Sequence, residues 1–443
     1  MTASLERLEW VYGFWKNLSP YAYARIEDEV VILPPNLVYK TNRTGAALLE
    51  HIGKGGRLED IPGFSDGRAA EVEAFFLSLK AAYEGRPVAL ERIAYGFDFT
   101  RLPVLGEIAL TYRCGNRCRF CYAGCGDDSG LALAQSSGAS ELDTDGWKRV
   151  VDIFKEEAKI PFFSFTGGEP LVRPDVEELA AYAVSRGLRV NLVTNGRLAT
   201  PERAASLFAS GLRTAQVSLE APTAAAHDWL CGAEGAFDDS VAGIRAMIAA
   251  GISVQTNSTL TRANRDALLE LPAFVAGLGV RRMSMNLFIP TGSGRDASDL
   301  FFPYSETGAF VDEARKRAHE AGIDFFWYSP TPLCLYNPIA RGLGNKSCAA
   351  CDGLLSVSPS GDVLPCSSWP EPVGNLLDDG FASVWFSDKA AWFKNKRYAP
   401  DSCKACASFT ACQAACPLYW RYAGYSEIDA RKEAPIWKTA SNS

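Results

Sequence analysis

The sequence predicts an α/β protein: a partial (β/α)6 TIM-type barrel preceded by a winged-helix-like module and followed by a cysteine-rich segment. Three observations carry this. Between Leu105 and Pro290, six short apolar runs alternate with amphipathic stretches of period near 3.6, the pattern of strand-helix units in a parallel sheet. The residues before them show short strands and short helices parted by turn residues. Thirteen cysteines fall in groups, eight of them between Cys334 and Cys416, where the chain is rich in turns.

In chain order, "ARIEDEVVILPPN" reads as a short strand before a Pro-Pro turn. "NRTGAALLEHIGKGG" reads as a helix that Asn42 or Thr44 caps and Gly53 stops. A second helix near Arg68 to Tyr83 aligns Val72, Phe75, Phe76, Leu79 and Tyr83 on one stripe. The barrel strands are "LGEIALTY", "FFSFTGG", "RVNLVTNG", "TAQVSLEA", "SVQTNSTLT" and "RRMSMNLFIP". Chemistry in such a sheet sits at the C-terminal ends of the strands. The helix "FVDEARKRAHEAG" and strand "DFFWYS" then bridge to a segment whose fold depends on metal. The expected domains are 1–97, 104–310, the bridge at 311–330, and 331–443.

Composition narrows the function. At 443 residues, 47% hydrophobic and 22% charged, the chain is an ordinary multidomain globular protein with no apolar run near the ~20 residues of a membrane span. Its start has no apolar signal core, so a cytoplasmic location is expected, where thiols stay reduced and grouped cysteines read as metal ligands. Only three histidines are present, so any metal is held by sulfur. The net charge of -7 leaves no electrostatic footprint for nucleic acid.

"CGNRCRFC" places Cys114, Cys118 and Cys121 directly after the first barrel strand. Three thiolates can hold three irons of a cubane and leave the fourth iron open to a ligand. A four-thiolate zinc site completed by Cys125 is the competing reading, but it explains neither "FTGGEP" nor the barrel around it.

This spacing, with Phe120 before the last cysteine, resembles the Cys-x3-Cys-x-aromatic-Cys signature of radical S-adenosylmethionine (SAM) enzymes. "FTGGEP" resembles that family's glycine-rich motif, which implies that Gly167, Gly168 and Glu169 meet the methionyl amino group of SAM. The resemblance further implies that Asn195 of "TNG", Ser218 and Glu220 of "VSLEA", Asn257 of "QTNSTLT", and "FIPTGSG" line the rest of SAM. The implied chemistry is reductive cleavage of SAM by a 4Fe-4S cluster to a 5'-deoxyadenosyl radical, which abstracts a substrate hydrogen. A flavodoxin or ferredoxin would supply the electron. The chain departs from the family at Cys231, after "HDWL", where relatives often carry an arginine for the SAM carboxylate. Arg213 or Arg262 would take that role, or Cys231 is simply a small buried residue. Asp127, Asp128 and Glu220 fall near the expected mouth.

The later cysteines resemble the SPASM extension, a cysteine-rich iron-sulfur domain that holds up to two auxiliary 4Fe-4S clusters. By that resemblance Cys351, Cys366 and Cys416, with Cys348, bind the first cluster, and Cys403, Cys406 and Cys412 the second. The pattern's final cysteine is missing after Cys416. Cys334 would share the first cluster or meet substrate, and Asp429 or Glu433 would complete the second. A zinc ribbon fits poorly, because 51 residues separate Cys351 from Cys403, against ~15–20 between paired knuckles.

"VVILPPNLVYKTNRTGAALLEHI" resembles the PqqD-like module that captures the leader of a ribosomally made precursor peptide, by strand addition at a sheet edge. DNA binding is disfavoured by 11 Lys+Arg against 13 Asp+Glu in residues 1–97; a purely structural cap is the other reading. The expected function is oxidative modification of such a peptide. A tetrapyrrole-modifying or sulfatase-type maturase, and a non-catalytic iron-sulfur or zinc protein, are the alternatives.

Overall fold

The computed structural model describes residues 3–19, 22–33, 37–62, 64–84, 100–125 and 140–433. It divides into two units, Met1–Val104 and Leu105–Ser443.

In the first unit, β1 (Tyr23–Arg25), β2 (Val30–Leu33) and β3 (Leu37–Lys40) form an antiparallel sheet in that order. The helices Glu9–Leu18, Arg43–Gly53 and Ala69–Tyr83 pack a core of Val11, Trp15, Leu49 and Phe76. The single strand expected from "ARIEDEVVIL" is in fact a hairpin. Its charged middle turns at Glu29, whose φ is 58°. The turn is rigid because Arg25 donates two bonds to Asp28, at 2.8 and 2.6 Å, and reaches the carbonyls of Leu102 and Pro103. That anchor joins Leu102 and Pro103 to the unit. Asn42 is the helix cap and accepts from Gly45 N at 2.7 Å. Gly53 does not stop that helix; it is its last residue, and the left-handed turn falls at Gly55, φ 85°. Tyr83 leaves the expected stripe and is 56% exposed.

The second unit is built on one sheet of ten strands. The parallel strands β4 (Leu105–Thr111), β5 (Phe162–Gly167), β6 (Arg189–Thr194), β7 (Thr214–Ser218), β8 (Ser253–Leu260) and β9 (Arg282–Leu287) pair in sequence order. The bridging strand, β10 (Asp324–Trp327), adds in parallel to β9. On the other side, β11 (Leu354–Val357) pairs in parallel with β4, and β12 (Asp362–Leu364) and β13 (Gly374–Asn375) follow antiparallel. Among the described residues β10 and β13 end the sheet, so the barrel is open.

Alternation along β8 shows how the sheet is used. Val254, Thr256, Ser258 and Leu260 are buried, while Gln255, Asn257 and Thr259 are half-buried on the opposite face. That face is polar: Gln255 donates to Ser284 and Tyr328 at 2.9 and 3.0 Å, and Asn257 accepts from Ser284 and Asn286 at 2.8 and 3.1 Å. The apolar face is tightly filled. Phe154 and Phe163 meet edge to face at 5.5 Å, and a Cβ on Gly106 would lie 2.5 Å from the Phe154 ring. Burying each such ring stabilises the unit by about 1.5–3 kcal/mol. No helix among the described residues is long and apolar enough to cross a membrane.

Candidate functional site

Strand β4 ends at Thr111 and delivers Cys114, Cys118 and Cys121 to the C-terminal rim of the sheet. The loop is pinned from two sides. After β7, Arg117 N and Arg119 N donate to the carbonyls of Cys231 and Leu230, each at 2.9 Å. After β9, Ser293 N donates to Cys121 O at 2.9 Å. Both contacts require glycine: a Cβ on Gly232 would lie 2.3 Å from Arg117 O, and one on Gly292 would lie 2.3 Å from Cys121 O. "TGSG" thus holds the cysteine loop. Phe120 packs beside Leu230, Phe288 and Leu300.

Backbone and amide donors point at the thiols. Cys114 Sγ accepts from Asn116 N at 3.4 Å and Asn195 Nδ2 at 3.8 Å, and Cys121 Sγ accepts from Cys125 N at 3.4 Å. The Cys125 thiol also donates to Cys121, which lowers the Cys121 pKa to about 6 despite burial. Burial pushes Cys114 up to about 12, and a hydrogen bond to Cys231, then burial, raises Cys118. Among the described residues no three His, Cys, Asp or Glu side chains converge as a single ion requires. Cys114, Cys118 and Cys121 share one loop, with N–H donors aimed at the sulfurs of Cys114 and Cys121, an arrangement suited to a cluster, since hydrogen bonds to sulfur tune such a group. The residues therefore fit a 4Fe-4S cluster with one open iron.

The "TGGEP" turn packs against the end of β4. A Cβ on Gly167 (φ 127°) would lie 2.3 Å from Thr111 O, and one on Gly168 would lie 2.5 Å from Arg113 O. Close approach to β4 therefore accounts for both glycines. Glu169 is 1% exposed; its carboxylate accepts from Leu171 N (3.0 Å), the Thr194 hydroxyl (2.7 Å) and Asn195 N (2.7 Å). A carboxylate has about four acceptor sites, so one remains. Glu169 thereby sets Asn195, which in turn reaches Cys114.

Ser218 and Asn257 are register neighbours on β7 and β8. Glu220 is buried and accepts from Thr259 N at 2.7 Å; burial raises its pKa to about 7. Its own N–H donates to His227 Nδ1 at 3.1 Å, and His227 Nε2 lies 3.4 Å from Cys231 Sγ. Cys231 is 2% exposed and is the buried small residue that the sequence allowed. Neither expected arginine substitutes for it. Arg213 precedes β7, at the opposite end of the strand, and donates to the Phe208 and Leu212 carbonyls. Arg262 is committed to Glu306 through two bonds, at 3.0 and 2.8 Å. Asp127 and Asp128 lie outside the described residues.

The later cysteines form two sets. Cys366 has Cys348 and Cys416 as electrostatic neighbours, and Cys351 has Cys348. Lys396, fully buried, donates to Cys348 O at 2.7 Å and to Asp352 at 3.0 Å. Cys334 lies instead among Cys412, Cys403 and Cys406. The side chain of Glu433 lies outside the described residues.

Sequence reasoning missed Glu107, whose carboxylate accepts from Ser367 N at 3.0 Å and whose electrostatic neighbours include Tyr112, Tyr122 and Cys366. The signal was there: a lone acid inside the apolar strand "LGEIALT". Burial raises its pKa. It bridges the neighbourhoods of the loop thiols and the first later set.

A half-open parallel barrel with thiol sets at its rim and in its C-terminal extension defines an iron-sulfur enzyme of the barrel type. The radical SAM superfamily matches residues 108–274, and SPASM, an iron-sulfur cluster-binding domain, matches residues 348–407. AdoMet-dependent heme synthase of Nitratidesulfovibrio vulgaris is 30% identical over 296 residues, which is 61% of this chain and 78% of the relative. Mycofactocin maturase MftC of Mycolicibacterium smegmatis is 29% identical over 338 residues, 74% of this chain and 81% of the relative. The structure of Streptococcus suis SuiB bound to precursor peptide SuiA matches with a TM-score of 0.67 at 15% identity, covering 90% of this chain and 95% of that one. At that identity the likeness speaks for the fold. The chain belongs to the radical SAM superfamily, with a SPASM domain, and its cofactors are SAM and 4Fe-4S clusters.

Proposed function

We propose that this enzyme oxidatively modifies a ribosomally synthesised precursor peptide, whose leader docks on the N-terminal unit. The observation that carries the reading is the separate first unit, where β3 pairs only with β2 among the described residues and so offers a strand edge. The likeness to mycofactocin maturase and to peptide-bound SuiB supports it.

Cys114, Cys118 and Cys121 would hold the SAM-binding cluster, with Asn195 and Cys125 donating to two of the sulfurs. The cluster and SAM supply, when bound, the radical that removes a substrate hydrogen. Glu169 orients Asn195, and the amide and hydroxyl face of β8 and β9 lines the space beside the rim. The later thiols would hold auxiliary clusters that take up the electron left by an oxidation. A flavodoxin or ferredoxin in the cytoplasm would deliver the reducing electron.

A tetrapyrrole substrate is the second reading, favoured by the 30% identity to a heme synthase. The test is anaerobic reconstitution with SAM and a strong reductant, wild type beside Cys118→Ala. Candidate precursor peptides and an iron porphyrin are offered separately. The proposal expects 5'-deoxyadenosine from wild type only, raised by peptide, with hydrogen lost from the peptide's mass. Turnover of the porphyrin and none of any peptide from neighbouring short reading frames would sink it.

A further inference from the structure

The second set of later thiols draws on two stretches distant in sequence. Cys403, Cys406 and Cys412 come from one short run, and Cys334 from the segment just after β10. Two independent features bring them together. Leu333 N donates to Cys412 Sγ at 3.4 Å, so the backbone entering Cys334 is fastened to a thiol of the run. Cys334 also has Cys412, Cys403 and Cys406 as its thiol neighbours.

The segment carrying Cys334 is itself fixed from the barrel side. Trp327 Nε1 donates to the Thr331 hydroxyl at 2.8 Å, Thr331 N to Lys346 O at 3.0 Å, and the Tyr336 hydroxyl to Asp312 at 2.8 Å. Its backbone turns through Leu335 N and Tyr336 N, which donate to Pro332 O at 2.9 and 3.0 Å. A thiol on so anchored a turn is placed by the scaffold and not by chance exposure. Cys403, Cys406 and Cys412 are three thiols, one short of the four that a fully ligated cubane takes.

We propose that Cys334 is the fourth ligand of the second auxiliary cluster, completing Cys403, Cys406 and Cys412 from upstream. This rests on the SPASM reading and replaces the expectations of a carboxylate from Asp429 or Glu433 or of Cys334 on the first cluster. The cluster then ties the segment after β10 to the run from Cys403 to Cys412.

The test reconstitutes full-length wild type, Cys334→Ala, Asp429→Asn, Cys403→Ala, Cys366→Ala and the double variants of Cys334→Ala with each of the last two. Iron per chain and the electron paramagnetic resonance spectrum are read. Wild type should bind about twelve irons, three clusters of four. Cys334→Ala should lose one to four irons and show a three-iron signal on oxidation or lose one reduced-cluster signal, whereas Asp429→Asn should match wild type. Cys334→Ala should add nothing to Cys403→Ala but should deepen the loss in Cys366→Ala. The proposal is overturned if Cys334→Ala keeps wild-type iron and spectra, if Asp429→Asn shows the loss instead, or if the additivity is reversed. A failure of the family reading looks different: wild type itself then falls short in iron.

Discussion

The thiol of Cys118 hydrogen-bonds to that of Cys231, the last residue of the helix Ala224–Cys231 that follows β7. Cys231 is therefore close to a proposed cluster ligand without belonging to the three-cysteine loop. If it were a fourth ligand, the open iron that binds SAM would be closed. Cys231→Ala is expected to keep wild-type iron content and the SAM-induced change in the cluster spectrum, at a stability cost of about 1 kcal/mol for the lost hydrogen bond. Loss of iron in that variant would show that Cys231 is a ligand.

Gly232 and Gly235 both have positive φ, 60° and 74°, yet only Gly232 has a neighbour where its Cβ would go. Alanine at either position costs roughly 1–2 kcal/mol in backbone strain. Gly232→Ala must in addition push Arg117 and the cysteine loop. It should lose iron from the SAM-binding cluster and most 5'-deoxyadenosine formation, while Gly235→Ala keeps both. Equal behaviour of the two would mean that the loop is not seated on Gly232.

Lys396 and Asp352 form a buried ion pair, 0% and 5% exposed at the side chain, beside Cys348. Removing one member takes the opposite charge away from a buried ion, at a cost of about 3–5 kcal/mol. Lys396→Met should lower the urea midpoint sharply and loosen the first auxiliary cluster, seen as lost iron. Pairing it with Asp352→Leu should recover much of the stability. No recovery would argue that Lys396 acts through the Cys348 carbonyl alone.

Burial disfavours the ionised form of Glu220 and raises its pKa to about 7 from 4.5. The folded chain therefore binds this proton more tightly than the unfolded one. Its contribution to stability is full below about pH 4.5 and is lost as pH rises through 7, on the order of 3 kcal/mol in total. Glu220→Gln has no such loss. The stability of the variant relative to wild type, from urea unfolding at pH 5 and pH 8, should rise with pH. A pH-independent difference would show that the carboxylate is solvated.

Much of this was legible in the chain because it is local. "CGNRCRFC", "FTGGEP" and the strands of the barrel are short-range patterns, and each falls at the strand end where the pattern placed it. What was missed depends on partners far away in sequence. The charged run around Asp28 reads as part of a strand until Arg25 and the carbonyls of Leu102 and Pro103 are seen to lock it into a turn. Arg213 looks available until it is placed at the wrong end of β7. Cys334 and Glu107 take their meaning from residues that only the fold brings near. The glycines of "TGGEP" were recognised, but for a ligand, whereas β4 already fills the space a side chain would need.

The pairing of Leu354 with Leu105 has a consequence for how the protein is made. Strand β4 emerges from the ribosome early, and its second edge has no partner until β11 follows. At roughly 5–20 residues per second, that edge and the cysteine loop beside it stand open for roughly 10 to 50 s. An unpaired strand edge is a template for aggregation. Nascent chains stalled before Leu354 should therefore be insoluble, and low growth temperature or slow release should favour recovery only when it helps the C-terminal strands arrive. Translation itself, by its order, decides when β4 gains its second partner.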